Sequence, residues 1–170
     1  MKIGKGYTDR YLTEDEVRSI LVEVLQEVDI DDEHVVIVIP DSTRTAPLPM
    51  MFRLFNELLD SRVTQLDFLV ALGTHPLMTE EALNTLVGIT AEERSTTYKD
   101  VGLFNHQWDD PKTFETIGVI PSTEIEEISN GMLSMDVPVT VNRRVLDADR
   151  VIVCGPVFPH EVVGFSGATK

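Results

Sequence analysis

A polar segment at residues 41–44 combines side chains that can bind an anion. Asp41 brings a carboxylate, Ser42 and Thr43 bring hydroxyls, and Arg44 brings a guanidinium. Together with backbone N–H groups between a strand and a helix, these donors suit a phosphate or a carboxylate. The same residues also suit a capping turn, with Asp41 or Ser42 as the helix cap and Arg44 in solvent. Both interpretations are open at this point.

Histidines supply the candidate acid–base groups. His75 follows a Gly-Thr pair, and His160 follows a proline. An imidazole changes charge near neutral pH, so either ring could take a proton from a substrate and return it. Each could equally be a loop histidine bonded to a nearby carbonyl. His106 better suits a packing or supporting role, and His34, in an acidic turn, is expected to be solvated.

Lys170 and Cys154 are the remaining reactive side chains of interest. Lys170 ends a glycine-punctuated loop, so its amine is either a nucleophile or an ordinary amine at the end of the chain. Cys154 is the single cysteine, which excludes an intramolecular disulfide, and it is expected to be a small buried hydrophobe on a strand. Zinc-type Cys/His spacing, a Walker phosphate loop and a G-x-S-x-G elbow are all absent from the sequence.

The elements that must position these residues alternate between helix and strand. Residues 13–28 predict an amphipathic helix that begins with a Thr13–Glu16 capping box. The β-branched run 35–39 predicts a strand buried on both faces. A helix at 48–59, a strand at 66–72 and a helix capped by Thr79 follow. This order predicts an α/β layered fold, Rossmann-like, with a mostly parallel sheet flanked by helices.

The second half of the chain contains a predicted hairpin and a last buried strand. The pair Asn130-Gly131 is a strong tight-turn signal. It predicts a β-hairpin excursion between residues 124–129 and 132–141. Further strands are predicted at 98–104, 114–120 and 151–154. Because loops at the carboxyl ends of parallel strands converge, we expect the segments after Ile39, Leu72 and Cys154 to form one site.

Composition argues against several kinds of partner. The chain has 170 residues, enough for one domain, a formal net charge of −15 and only 14 Lys plus Arg. Nucleic acid and an anionic membrane surface are therefore excluded as expected partners. No apolar run reaches the ~18 residues that span a bilayer, and no secretory signal is expected. A cytoplasmic protein is expected.

Four motifs in this order resemble a known family, the nickel-pincer lactate racemases. The resemblance is to the N-terminal domain of that family, and it covers residues 7–170. The motifs that carry it are Asp-Ser-Thr-Arg-Thr-Ala-Pro at 41–47, Ala-Leu-Gly-Thr-His at 71–75, Asn-His at 105–106, and Pro-His-Glu through Gly-Phe-Ser-Gly-Ala-Thr-Lys at 159–170. The last of these strings is the most specific.

The resemblance implies a cofactor and a reaction. The cofactor would be a nickel-pincer nucleotide, a Ni(II) pyridinium thioamide/thiocarboxylate mononucleotide attached to Lys170. His75 and His160 would be an acid–base pair, while hydride moves reversibly between the cofactor and a 2-hydroxy acid such as lactate. The enzyme would then be an isomerase, a racemase or epimerase. Implied cofactor contacts are Asp41, Ser42, Thr43, Arg44, Ser166 and Gly167, and implied substrate contacts are Arg44 and Thr74.

Two features depart from the family pattern. Pro76 replaces a basic residue after the histidine of the Gly-Thr-His motif, which would alter substrate choice. The family's nickel-ligating histidine lies beyond the residue that matches Lys170, and a C-terminal domain closes its site. We therefore expect no protein ligand to nickel within residues 1–170, and we expect these residues alone to be inactive and free of nickel. Expected partners are the 2-hydroxy acid and the protein's own C-terminal domain, and oligomerisation is left open.

Two alternative functions fit the same residues. One is a non-catalytic module that binds a nucleotide or a carboxylate with the same loops. The other is a metal-dependent hydrolase or lyase in which His75, His106 and His160 ligate one metal ion.

Overall fold

A four-stranded parallel sheet forms the centre of the protein, with strand order β3-β2-β1-β6. The computed structural model describes residues 2–161 and 164–167. Its helices are Glu14–Gln26 (α1), Leu48–Leu59 (α2), Glu80–Val87 (α3), Ala91–Ser95 (α4), Ser122–Ile128 (α5) and Arg143–Asp147 (α6). Its strands are His34–Pro40 (β1), Gln65–Ala71 (β2), Gly102–Asn105 (β3), Phe114–Ile120 (β4), Val137–Asn142 (β5), Arg150–Val153 (β6), Phe158–His160 (β7) and Gly164–Ser166 (β8).

The core confirms the predicted α/β class. Ile37 in the middle of β1 is fully buried and pairs with Phe68 on β2 and with Ile152 on β6. Phe52 of α2 packs on Phe68 with ring centroids 4.7 Å apart. Burying each such side chain contributes about 1.5–3 kcal/mol. The helix before β1 begins as predicted, because Thr13 and Glu16 form a reciprocal capping box.

The strand register brings the loop starts to one edge of the sheet. Pro40, the last residue of β1, pairs with Ala71, the last residue of β2. The end of β6 lies alongside Val38. The loops that follow β1, β2 and β6 therefore leave the sheet side by side, as expected for a parallel arrangement.

The predicted hairpin is present with a different pairing. β4 and β5 pair antiparallel, whereas residues 122–128 form helix α5 between them. Asn130 and Gly131 have positive φ of 54° and 80° and end that helix, with the Gly131 N–H donating to the carbonyl of Glu126 at 2.8 Å. This is a Schellman end, which uses the same Asn-Gly pair as a hairpin turn. The strand predictions at 124–129 and 132–136 were therefore wrong.

Two smaller predictions also differ from the structure. The strand predicted at 98–104 begins only at Gly102, where the buried carboxylate of Asp67 occupies the space of a side chain. His34 is not solvated: its Nε2 lies 2.9 Å from Oδ2 of Asp67, and its side chain is 21% exposed. The Asp67 partner comes from the neighbouring strand, so the acidic turn before β1 did not indicate it. In the described residues, no helix is long and apolar enough to cross a membrane.

Candidate active site

A cavity of about 460 Å³ lies where the three loops meet at the carboxyl edge of the sheet. This volume is within the range of small-molecule sites. The loops contribute one group of residues each. The side chains and backbone that line the cavity include Asp41, Thr43 and Arg44 after β1, Gly73, Thr74 and His75 after β2, and Cys154, Gly155, Pro156, Phe158, Ser166 and Gly167 after β6.

Asp41 is the buried centre of the first loop. It is 5% exposed, and its Oδ1 accepts hydrogen bonds from the Thr43 amide at 3.0 Å and the Thr43 hydroxyl at 2.5 Å. Its Oδ2 lies 2.5 Å from Nδ1 of His75. Burial raises the pKa of the Asp41 carboxyl, but the bonds from Thr43 and His75 outweigh burial and leave the pKa below its ordinary value. Asp41 is therefore ionised at neutral pH.

The ionised carboxylate determines which ring nitrogen of His75 carries the proton. A carboxylate can only accept hydrogen bonds, so Nδ1 of His75 must donate. The neutral ring then has its lone pair on Nε2. The His75 side chain lines the cavity and is 54% exposed. The Asp41–His75 pair was missed at the sequence level, where Asp41 was assigned to anion binding.

Arg44 is the candidate anion-binding group of the first loop. In the parts of the chain that the structure describes, no carboxylate forms an ion pair with its guanidinium. It borders both the main cavity and a neighbouring cavity that Ser42 lines. Ser42 is therefore separated from Thr43 and Thr74, which line the main cavity. The loop geometry leaves Arg44 available for a negatively charged ligand.

The β7–β8 hairpin forms the third wall. Ser166, 6% exposed, pairs with Phe158, and both line the cavity. His160 pairs with Gly164 and does not line the cavity, although it lies on the same face of β7 as Phe158. Its Nδ1 lies 3.9 Å from Oε2 of Glu161. Lys170 lies outside the described residues, three positions after Gly167.

His106 has a supporting position. Asn142, which is 7% exposed, places its Nδ2 2.9 Å from Nδ1 of His106, and the edge of Phe114 packs on the same ring. Burial lowers the pKa of His106. Among the described residues, which include all four histidines, no three His, Cys, Asp or Glu side chains are grouped to hold a metal ion. The three-histidine metal site is therefore not formed.

Cys154 follows β6 and is half-buried at the cavity wall. Burial raises the pKa of its thiol to about 11. The thiol is therefore protonated at neutral pH and has little nucleophilic character. This agrees with its interpretation as a small apolar residue.

The last residue of β3, Asn105, and Trp108 beyond it fasten the loop that carries His75, and neither was assigned a role in the site from the sequence. Asn105 accepts a hydrogen bond from the Met78 amide at 3.1 Å and donates to the Met78 carbonyl at 2.9 Å. The Trp108 indole N–H donates to the backbone carbonyl of His75 at 2.8 Å. The sequence signal was limited to the Asn-His pair at 105–106.

The fold and the cavity define an α/β protein with a cavity of small-molecule size at the carboxyl edge of a parallel sheet. The model of the lactate racemase N-terminal domain matches residues 16–170. The chain therefore belongs to the lactate racemase N-terminal domain family, as the motifs had indicated.

A solved structure supports the same fold. The crystal structure of a protein from Thermotoga maritima matches with a TM-score of 0.76 and 28% sequence identity. The match covers 92% of this chain and 36% of the Thermotoga chain. This chain therefore spans little more than a third of the length of that protein. No curated protein matches the chain.

Proposed function

We propose that this chain is the cofactor-carrying, acid–base part of a 2-hydroxy acid racemase or epimerase. The observation that carries the proposal is the Asp41–His75 pair, whose carboxylate places the proton of a neutral ring on Nδ1 and the lone pair on Nε2, at a cavity that Arg44 also borders. A base that shares a cavity with a guanidinium lacking a carboxylate partner among the described residues suits a substrate with a hydroxyl next to a carboxylate. Membership of the lactate racemase family supports the same reaction class.

Substrate binding rests on Arg44 and Thr74. The guanidinium would take the carboxylate of the 2-hydroxy acid, because it has no carboxylate partner among the described residues and two of its N–H groups can bind one carboxylate. The Thr74 hydroxyl lines the same cavity and would orient the substrate hydroxyl or carboxylate. Pro76 directly follows His75 and would influence which substrate enters.

The two histidines would exchange the hydroxyl proton. Nε2 of His75 would take it from one enantiomer, and Asp41 would stabilise the resulting imidazolium. His160 would serve the other enantiomer, because the two enantiomers present their hydroxyls on different sides. His160 lies outside the cavity lining, so this role requires its ring to turn toward the cavity, as its position on the Phe158 face of β7 allows.

The residues around the cavity fit a nickel-pincer nucleotide. Arg44 and Thr74 line the cavity and offer donors for its phosphate and carboxyl oxygens. Ser166 and Gly167 line the cavity, and Lys170, the proposed attachment point, follows Gly167 by three residues. When bound, the group supplies an electron-poor ring that accepts and returns the carbon-bound hydrogen of the substrate.

The proposed activity belongs to a longer polypeptide. The family resemblance implies a nickel-ligating histidine and a closing domain beyond residue 170, so residues 1–170 alone should be inactive and hold no nickel. The proposed partners are the 2-hydroxy acid and that C-terminal domain, and the proposed location is the cytoplasm.

Two measurements on the complete polypeptide, made in cells that produce the cofactor, test the proposal. Intact mass should show a nucleotide-sized adduct that Lys170→Ala abolishes, with Lys99→Ala as the matched control because Lys99 is an exposed lysine. A substrate deuterated at the 2-carbon should give the opposite enantiomer with deuterium retained. An adduct without any hydrogen transfer would instead identify a binding module. Absence of both would refute the proposal.

A further inference from the structure

The loop that carries His75 has little packing of its own. Its residues from Gly73 to Leu77 are all exposed. Gly73 has a φ of 59°, and the His75 amide donates to the Leu72 carbonyl at 3.0 Å, so the loop begins as a tight turn. A turn of this kind fixes the local backbone direction but leaves the loop free to tilt on its ends.

The end of β3 and the segment that follows it supply the missing restraint. Asn105 holds both the N–H and the carbonyl of Met78, at the far end of the loop. The Trp108 indole holds the carbonyl of His75 itself at 2.8 Å. The loop is thus fastened at its end and at its functional residue by side chains only three positions apart in sequence.

This segment is itself anchored to the fold. The His106 amide donates to the carbonyl of Val70 in β2 at 3.0 Å. The His106 ring contacts the buried Asn142 at the end of β5 and the edge of Phe114 at the start of β4. The hydrogen bond from Trp108 therefore links the backbone of His75 to the sheet, and not only to a neighbouring loop.

We propose that Trp108 is a positioning residue for His75, holding its carbonyl so that the ring meets the Asp41 carboxylate. The Nδ1–Oδ2 contact, at 2.5 Å, holds only while the loop backbone keeps the His75 ring facing Asp41. A shift of about 1 Å lengthens that bond beyond hydrogen-bond range and releases the ring to its other tautomer. Only the catalytic consequence of this arrangement rests on the proposed function.

Nitrogen-15 NMR of residues 1–170 tests the positioning directly. Trp108→Phe removes the N–H donor and keeps an aromatic ring, and the four histidines are few enough to assign. The unmodified chain should show the Nδ1–H tautomer at His75. Trp108→Phe should introduce the Nε2–H tautomer and raise the pKa of the Asp41 carboxyl. Tyr98→Phe, which removes a hydroxyl that accepts from Arg53 far from the loop, is the control and should leave His75 unchanged.

A second measurement needs no substitution. The chain has one tryptophan, so its indole N–H gives one unambiguous signal. Exchange of that proton with solvent should be slower than in a free indole, because the His75 carbonyl accepts it. An unaltered His75 tautomer in folded Trp108→Phe would overturn the proposal. If Trp108→Phe does not fold, unprotected indole exchange in the unmodified chain would overturn it.

Kinetics of the complete, cofactor-loaded enzyme separate this inference from the proposed function. Misplacing a catalytic group by 1 Å can lower a rate by about 100-fold, so Trp108→Phe should lower kcat by ~10- to 100-fold with little change in KM. A complete wild-type enzyme without activity would refute the proposed function and leave the NMR result standing. Normal kcat in Trp108→Phe alongside an active wild type would refute the positioning role.

Discussion

Replacing Asp41 by asparagine is the sharpest test of how the site works. The substitution keeps a carbonyl oxygen for the two donors of Thr43, at 3.0 and 2.5 Å. It places an amide NH₂ toward Nδ1 of His75 in place of the carboxylate oxygen at 2.5 Å. Two donors cannot share that contact, so the ring should change to the Nε2–H tautomer and accept through Nδ1.

The expected loss of activity follows from this change of tautomer. With a proton on Nε2, His75 presents a donor to the cavity and can no longer accept the hydroxyl proton of the substrate. General-base catalysis contributes about 10²- to 10⁴-fold, and a tautomer-holding carboxylate has an effect at the upper end of that range. Asp41→Asn should therefore lower racemisation by ~10³-fold or more. KM should change little, because Arg44 and Thr74 still hold the substrate.

The effect on stability should be much smaller than the effect on rate. One charged hydrogen bond contributes about 1.5–3 kcal/mol to stability. The His75 ring is half-exposed, so solvent weakens its bond to Asp41 and the contribution should be near or below the lower limit of that range. Urea unfolding of residues 1–170 should therefore show a loss of about 1 kcal/mol. Asp100→Asn is the matched control, since the Asp100 side chain is 88% exposed and should change neither quantity.

Two assays decide the outcome for Asp41→Asn. Nitrogen-15 spectra of the His75 ring report the tautomer in residues 1–170, and deuterium transfer reports the reaction in the complete enzyme. A His75 ring that keeps its proton on Nδ1 in Asp41→Asn, or a racemisation rate within about tenfold of wild type, would show that Asp41 does not set the state of the base.

Three further outcomes are expected. The Asp41 carboxyl has a lowered pKa in the folded state, so its stabilising contribution is present above the ordinary pKa of about 3.9 and is lost as pH falls through the folded pKa. Urea unfolding from pH 6 to 2 should show this loss of stability. Asp41→Asn should flatten that part of the profile. Burial raises the pKa of the Cys154 thiol to about 11. Its reaction with iodoacetamide should therefore be slow at pH 8 and become about tenfold faster per pH unit up to that pKa. A pH-independent rate would contradict its burial. Gly102→Ala would place a Cβ 2.1 Å from Oδ1 of Asp67 and should lower the free energy of unfolding by about 1–3 kcal/mol, whereas Gly118→Ala, with open space around it, should cost much less in the same assay.

Local sequence patterns predicted most of the elements because their causes are local. The capping box at Thr13 and the β-branched run of β1 act through residues a few positions apart, and both were found where expected. The Asn130-Gly131 pair shows the limit of such reasoning. It favours a left-handed backbone in either a hairpin or a helix end, and in the structure it ends helix α5.

The clustering of the candidate site also followed from the sequence. Parallel strands place their carboxyl ends at one edge, so polar loops after three such strands had to meet, and the cavity that includes Arg44 and His75 lies there. The motifs also indicated the family, because a family model matches residues by their spacing along the chain.

Tertiary structure alone decided which side chains are partners. Asp41 and His75 are 34 positions apart, and His34 and Asp67 are 33 apart, so no local pattern relates them. Which side chains become partners depends on strand register and on rotamers. A displacement of about 1 Å is enough to break a hydrogen bond. Trp108 is the clearest example. Its indole reaches the His75 carbonyl only because the segment after β3 is anchored beside β2, and that contact is a property of the packed sheet.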